Sequence, residues 1–309
     1  STTDFGFFGT THYHLENWDF QAGLRYDTRR IKSKAFGDVD SEEFVEAINQ
    51  SYSSFNGAFG VKYQYDNKII ARLNMASGFR APNLSELTSN GVHEGTNRFE
   101  IGNPNLNNEQ NFQVDLALEW RGKHLEAFAN AFYNSINDYI FISPTGEQID
   151  GDPVFLYSQD NASIYGGEMG IHVHPHPLDW LHLESSYESL TGTRDSDKFL
   201  PLIPANSLTN TLRIEFKKGG LFFNKYAFIR LKNTFNKTEV SAFETRTPGY
   251  SLLGAGIGGS INAGNSEINI SISGNNLTDK TYISHLSRLK VDEISNIGRN
   301  ISISASLAP

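Results

Sequence analysis

The 309-residue chain contains no cysteine. That excludes disulfides, thiolate zinc centres and cysteine nucleophiles. It also lacks any run of about 18 consecutive apolar residues, so no membrane-spanning helix is encoded. Proline is scarce, 10 residues against 27 glycines. Basic residues are outnumbered, 26 to 35, giving a net charge of −9. An acidic balance argues against a nucleic-acid partner, which needs a basic face. The catalytic signatures of a G-x-S-x-G elbow, an H-E-x-x-H helix and a phosphate loop are all missing, and the acidic residues are scattered rather than paired. A barrel hydrolase with serine and histidine on its outer face is disfavoured, because no histidine stands beside a serine at lipid-facing parity. An enzyme is therefore not expected.

What is present is alternation. Phe112, Val114, Leu116, Leu118 and Trp120 interleave with Gln113, Asp115, Ala117 and Glu119. The same period recurs in Phe59–Tyr65, Ile268–Ser273 and Ile301–Leu307. Side chains alternate faces along a strand, so each segment has one apolar and one polar face. A mean hydropathy of −0.41 does not argue against a membrane, since only alternate residues of a barrel strand meet lipid. This reading places Val114, Leu116 and Leu118 toward lipid and Gln113 and Asp115 inward.

Tight links at 16–17, 66–68, 121–123, 175–179, 217–220 and 262–265 alternate with long polar links at 31–51, 83–109, 143–155, 191–202, 237–247 and 284–296. Short turns at one end and long loops at the other mark an outer-membrane barrel. Aromatic residues at strand ends (Trp18, Tyr26, Tyr65, Trp120, Tyr133, Trp180, Tyr187) suit interfacial girdles. The spacing predicts an all-β transmembrane antiparallel barrel of about thirteen strands, with 1–309 as one barrel domain. Bacterial barrels close with an even strand number, so further N-terminal strands or a companion piece are expected. A soluble β-sandwich or propeller is the alternative; its strands would be shorter and blade repeats would show.

Residues 76–109 read ASGFRAPNLSELTSNGVHEGTNRFEIGNPNLNNE. The Phe79-Arg80-Ala81-Pro82 and Asn103-Pro104-Asn105-Leu106 boxes, followed by Glu109, closely resemble TonB-dependent receptors. AFYNSINDYI at 131–140, GNNLTDKTY at 274–282 and the HLSRLK and NIGRN segments at 285–290 and 296–300 are similar to further family segments. The resemblance covers nearly the whole chain. It implies the C-terminal part of a barrel of about 22 strands, in the outer membrane of a Gram-negative bacterium. It also implies outer-membrane lipid and the inner-membrane TonB complex as partners, the latter through a plug and N-terminal strands that this sequence does not include. Members of the family normally end in Phe or Trp, whereas this chain ends ISISASLAP.

Haem receptors of that family carry a histidine between the two boxes, where this chain has His93. The zinc-uptake branch is resembled at least as well. The implied cargo is haem, an iron chelate or zinc, and no intrinsic cofactor is expected. Neutral imidazole suits haem iron or zinc, and added carboxylates favour zinc. His93, Glu94, Glu100 and His285 are the expected ligand-binding residues, with His93 also a candidate metal ligand. His285, in the last long loop, is placed to meet His93 across the mouth. His172, His174 and His182 flank one short turn in HVHPHPLDWLH and share inward parity. They are candidate metal ligands, set against a plain polar wall and a proline-stiffened turn. Arg80 and Pro82 read as structural: a proline ends the strand ladder, and an arginine beside it fixes the loop base by pairing with a loop carboxylate. A passive porin or structural barrel is the competing function.

Overall fold

Thirteen strands form one continuous antiparallel wall in the computed structural model, which describes residues 1–39, 44–93, 98–196, 199–216, 220–264 and 266–308. They are β1 (Thr2–Leu15), β2 (Trp18–Ser33), β3 (Ile48–Tyr65), β4 (Ile69–Arg80), β7 (Glu109–Arg121), β8 (Leu125–Ile149), β9 (Asp152–Val173), β10 (Leu181–Arg194), β11 (Ser207–Phe216), β12 (Phe222–Thr234), β13 (Tyr250–Ala263), β14 (Ser266–Asn275) and β15 (Asn300–Ala308). Each pairs with its sequence neighbours in that order, a simple meander. The remaining strands, β5 (Asn90–His93) and β6 (Arg98–Ile101), follow a short helix α1 (Leu84–Thr88) within the link from β4 to β7. Among the described residues β1 and β15 pair only with β2 and β14, so the wall has two open edges.

The alternation in the sequence is realised as two faces. Leu116 and Leu118 are 55% and 51% exposed, whereas Gln113 donates its side-chain N–H to Asp115 at 2.8 Å on the other face. The polar face is crossed by ion pairs between neighbouring strands: Arg72 with Glu119, and Lys62 with Asp19 at 3.0 Å. These side chains are partly buried, and a charge withdrawn from water needs a partner. Outward aromatics collect near the tight turns, where Trp18, Tyr65, Trp120 and Trp180 are exposed, with Trp180 stacked on Phe216. Tyr26 and Tyr133 form part of the exposed set farther up the wall. Tyr187, by contrast, is half-buried and its hydroxyl accepts a bond from Asn206 at 3.2 Å.

The tight turns fall where turn chemistry permits. Asp66 and Asn67 both adopt positive φ (46° and 44°), the signature of a type I′ hairpin turn. The expected loop at 143–155 is strand, with one register shift between Pro144 and Gln148. β8 and β9 run on as a projecting ladder that closes at Asp150 and Gly151, with φ of 51° and 92°. Conversely, the strand expected to reach 283 stops at Asn275, because Asn276 folds its side chain onto Lys280 through bonds of 2.8 and 2.9 Å.

Candidate functional site

At the long-loop end, the link between β4 and β7 is a folded platform. Arg80 is its centre. Its Nε and Nη2 donate to the two oxygens of Glu109, both at 2.7 Å, and its Nη1 donates to both oxygens of Glu86 at 2.8 and 2.9 Å. Glu86 is also the third residue of a capping box on α1: it accepts from the Asn83 N–H, and Asn83 Oδ1 accepts from the Glu86 N–H, each at 2.9 Å. Glu109 accepts a further bond from the Ile140 N–H at 2.7 Å. One guanidinium thus ties β4, α1, β7 and β8. Within the two boxes Ala81, Pro82 and Leu106 are buried with Leu87, and the Tyr52 hydroxyl of β3 donates to the Leu106 carbonyl at 3.1 Å. The arginine's expected role at the loop base is what the geometry displays.

Above this base stands the β5–β6 hairpin, with His93 opposite Arg98 in register. β6 continues as a parallel partner of β9, Phe99 to Ile101 against Val154 to Leu156. His93 is the last residue of β5, while Glu94 lies outside the described residues. Glu100 is 4% exposed, and its carboxylate accepts from Arg98 at 2.7 Å and from the Tyr157 hydroxyl at 3.1 Å.

His285 is buried, at 6% exposure, rather than lining an open mouth. Its Nδ1 lies 2.8 Å from the Thr247 hydroxyl and 3.2 Å from Lys290 Nζ, and its Nε2 has no hydrogen-bond partner, with Glu244 at 3.7 Å. Burial pushes its pKa down, with Lys290 adding to the effect. Glu244 also accepts from the Leu202 and Ser241 N–H groups, so this imidazole sits within a polar knot joining the last three long links.

At the tight-turn end the structure gathers histidines. His172 Nε2 lies 2.9 Å from His182 Nδ1, their rings stacked at 5.2 Å. His174 lies 5.4 Å from His172 and 5.8 Å from His182, ring to ring. The three expected metal ligands are thus brought together. His182 Nε2 is buried with no hydrogen-bond partner, and Glu215 stands 3.8 Å away. His172 also lines a polar-face cavity of about 750 Å³ with Glu126, Glu184 and Thr211. One member was missed from sequence. His124, from the preceding turn, lies 5.5 Å from the His174 ring and 5.4 Å from that of His176. Fifty residues separate it from His174, and only the meander makes their turns adjacent.

An antiparallel wall, apolar outside and polar inside, with tight turns at one end and a folded loop platform at the other, is the wall of an outer-membrane transport barrel. The chain belongs to the TonB-dependent receptor family: the profile described as "TonB dependent receptor-like, beta-barrel" matches residues 1–277. Members are Gram-negative outer-membrane transporters, not enzymes. A Yersinia enterocolitica "Hemin receptor" is 22% identical over 224 residues, 64% of this chain and 30% of that protein. Among solved structures, "Copper transporter OprC" superposes with a TM-score of 0.77 at 17% identity, covering 97% of this chain and 47% of that one. The FrpB iron transporter from Neisseria meningitidis (F3-3 variant) gives 0.71 at 16%, covering 98% and 45%. The chain spans about a third of the curated relative it matches and under half of these solved structures.

Proposed function

We propose that this chain is the wall and loop platform of an importer that takes a scarce metal or metal chelate across the outer membrane, driven by the inner-membrane TonB complex. Family membership supports this, as do relatives named for haemin, copper and iron. A plug and further strands are needed to complete the device, and the two open edges of the wall suit such strands. The observation carrying the reading is the platform itself: an ion-paired base under a hairpin whose tip bears His93. A rigid base with a protruding tip is what a capture loop needs.

His93 is assigned the first contact with haem, an iron chelate or zinc, with Glu94 beside it. Glu100 has its carboxylate engaged inside the protein, so it reaches a ligand only by exchanging partners, and His285 is buried with only its Nδ1 engaged. We give them a supporting part in the loops. His172, His174 and His182 would meet the cargo at the far end of the wall.

The test is His93→Ala in the full-length receptor, read as binding of haem and of zinc and as growth with each as sole source. The expected result is roughly tenfold or greater loss of affinity for one of them, as for a lost metal contact, with expression unchanged. Uptake and affinity unchanged for both would remove His93 from the pathway. Uptake that persists after the inner-membrane proton gradient is dissipated would mean a passive pore.

A further inference from the structure

We infer that His124, His176 and Asp179 form a binding site for a divalent transition cation of the zinc type, at the tight-turn end of the wall. The inference goes beyond capture at the loops and does not depend on it. One ligand atom from each residue lies within 4.8 Å of the other two. Asp179 bridges the pair: Oδ1 is 3.5 Å from His124 Nδ1, and Oδ2 is 3.5 Å from His176 Nδ1.

These separations match a ligand shell better than an ion pair. Charge-assisted hydrogen bonds close to about 2.7–2.9 Å, and neither contact does so. Two ligands on a tetrahedral ion with bonds of about 2.0–2.1 Å stand roughly 3.4 Å apart. The carboxylate therefore sits at ligand-to-ligand distance from both imidazoles. The two turns are held in this relation by the backbone. The His174 N–H donates to the His124 carbonyl at 3.0 Å, extending the β8–β9 ladder into both turns. Pro175 and Pro177 bracket His176, and the Leu178 N–H closes on the Pro175 carbonyl at 2.6 Å.

The side chains are open to solvent, 45% for His124, 70% for His176 and 58% for Asp179. Hydrated ions can reach them, and a water can complete a four-ligand shell. His124 Nδ1 also lies 3.2 Å from the His174 carbonyl. A metal on that nitrogen takes its lone pair, displaces the contact with the His174 carbonyl and leaves the ring proton on Nε2.

Two imidazoles and one carboxylate select the borderline ions Zn²⁺, Co²⁺, Ni²⁺ and Cu²⁺. Mg²⁺ and Ca²⁺ require oxygen shells. The site also has a continuation. Rings follow one another from His176 to His124 at 5.4 Å, to His174 at 5.5 Å, and to His172 at 5.4 Å, which stacks on His182. A file of five imidazoles thus leads from the rim to the polar face.

The experiment uses the full-length receptor in detergent, without a polyhistidine tag, titrated with Co²⁺ by visible absorption and with Zn²⁺ by equilibrium dialysis. The expected result is an intense tetrahedral Co²⁺ band in the parent protein. H124A/H176A should abolish that band and lower the Zn²⁺ stoichiometry by one, and D179N should weaken binding by at least roughly tenfold, the scale on which even outer-shell partners act, with unchanged thermal unfolding. H172A/H182A should keep the band, and Mg²⁺ in excess should not displace it. Absence of Co²⁺ binding in the parent, unchanged stoichiometry in H124A/H176A, or loss only in H172A/H182A would each overturn the assignment. His93→Ala should leave this band intact, so failure here and failure at the capture loop are read separately.

Discussion

At the loop end, all three guanidinium nitrogens of Arg80 bond to carboxylates that are themselves nearly buried, at 11% and 12% side-chain exposure. At the turn end, the two histidines and the aspartate at the rim are exposed and stop short of bonding one another. Both regions gather three polar side chains from separate stretches of one wall, three elements in the first and two turns in the second. The first satisfies its charges internally, through the guanidinium and backbone N–H donors, and so builds shape. The second leaves lone pairs unspent and so has something to offer a ligand. The box residues that look most distinctive in sequence therefore serve chiefly as scaffold, and an overlooked histidine becomes the chemically available one.

The sharpest way to break this contrast is Arg80→Ala. It leaves Glu86 and Glu109 together without their counter-charge, and removing one partner of a buried pair costs about 3–5 kcal/mol. With the guanidinium 42% exposed, solvent screening reduces the expectation to about 2–4 kcal/mol. Thermal unfolding and proteolysis across 81–108 should report it. A loss below about 1 kcal/mol would mean the clamp is an ordinary surface pair.

A smaller effect is expected from acid on the knot around His285. Its folded pKa is depressed below the ordinary 6.5 by burial, so below that value the unfolded loops bind a proton the folded ones resist. Stability from this group is complete above about pH 6.5 and is lost as pH falls toward the folded value. Amide exchange in 237–247 and 284–290, corrected for intrinsic rates, should accelerate between about pH 7.5 and 5.5. His285→Asn should abolish the pH dependence; an unchanged profile in the parent would disprove it. The smallest effect is His176→Ala, a surface change expected to shift unfolding by less than about 0.5 kcal/mol. A larger loss without metal would show that the rim histidine is structural, and the contrast would fail.

The wall was legible because strands buried on one face carry a period of two: Phe112 to Trp120 indicated strand, parity and lipid side correctly. The projecting ladder at 143–155 was not legible. Strand beyond the membrane is wet on both faces and has no period to show, and Pro144, Gly146 and Pro153 look like loop punctuation. Residues 83–109 concealed a helix of five residues and a hairpin of four-residue strands, too short for periodicity to register. Inward parity was enough to unite His172, His174 and His182. His124 required knowing that its tight turn neighbours theirs, a fact of topology that consecutive hairpins in a meander could have suggested.

The three-residue parallel junction between β6 and β9 fixes the height at which the β5–β6 hairpin is joined to the wall. Phe99 and Val154 are 7% and 0% exposed, and a slip of one residue turns every side chain of a strand to its opposite face. A neighbouring register would bring that buried pair to the surface, so β6 has one seat on β9. The 22 residues of β9, about 70 Å when extended, join that seat to His172 and the turn-end histidines, which makes this single strand a ruler between the loop platform and the opposite rim.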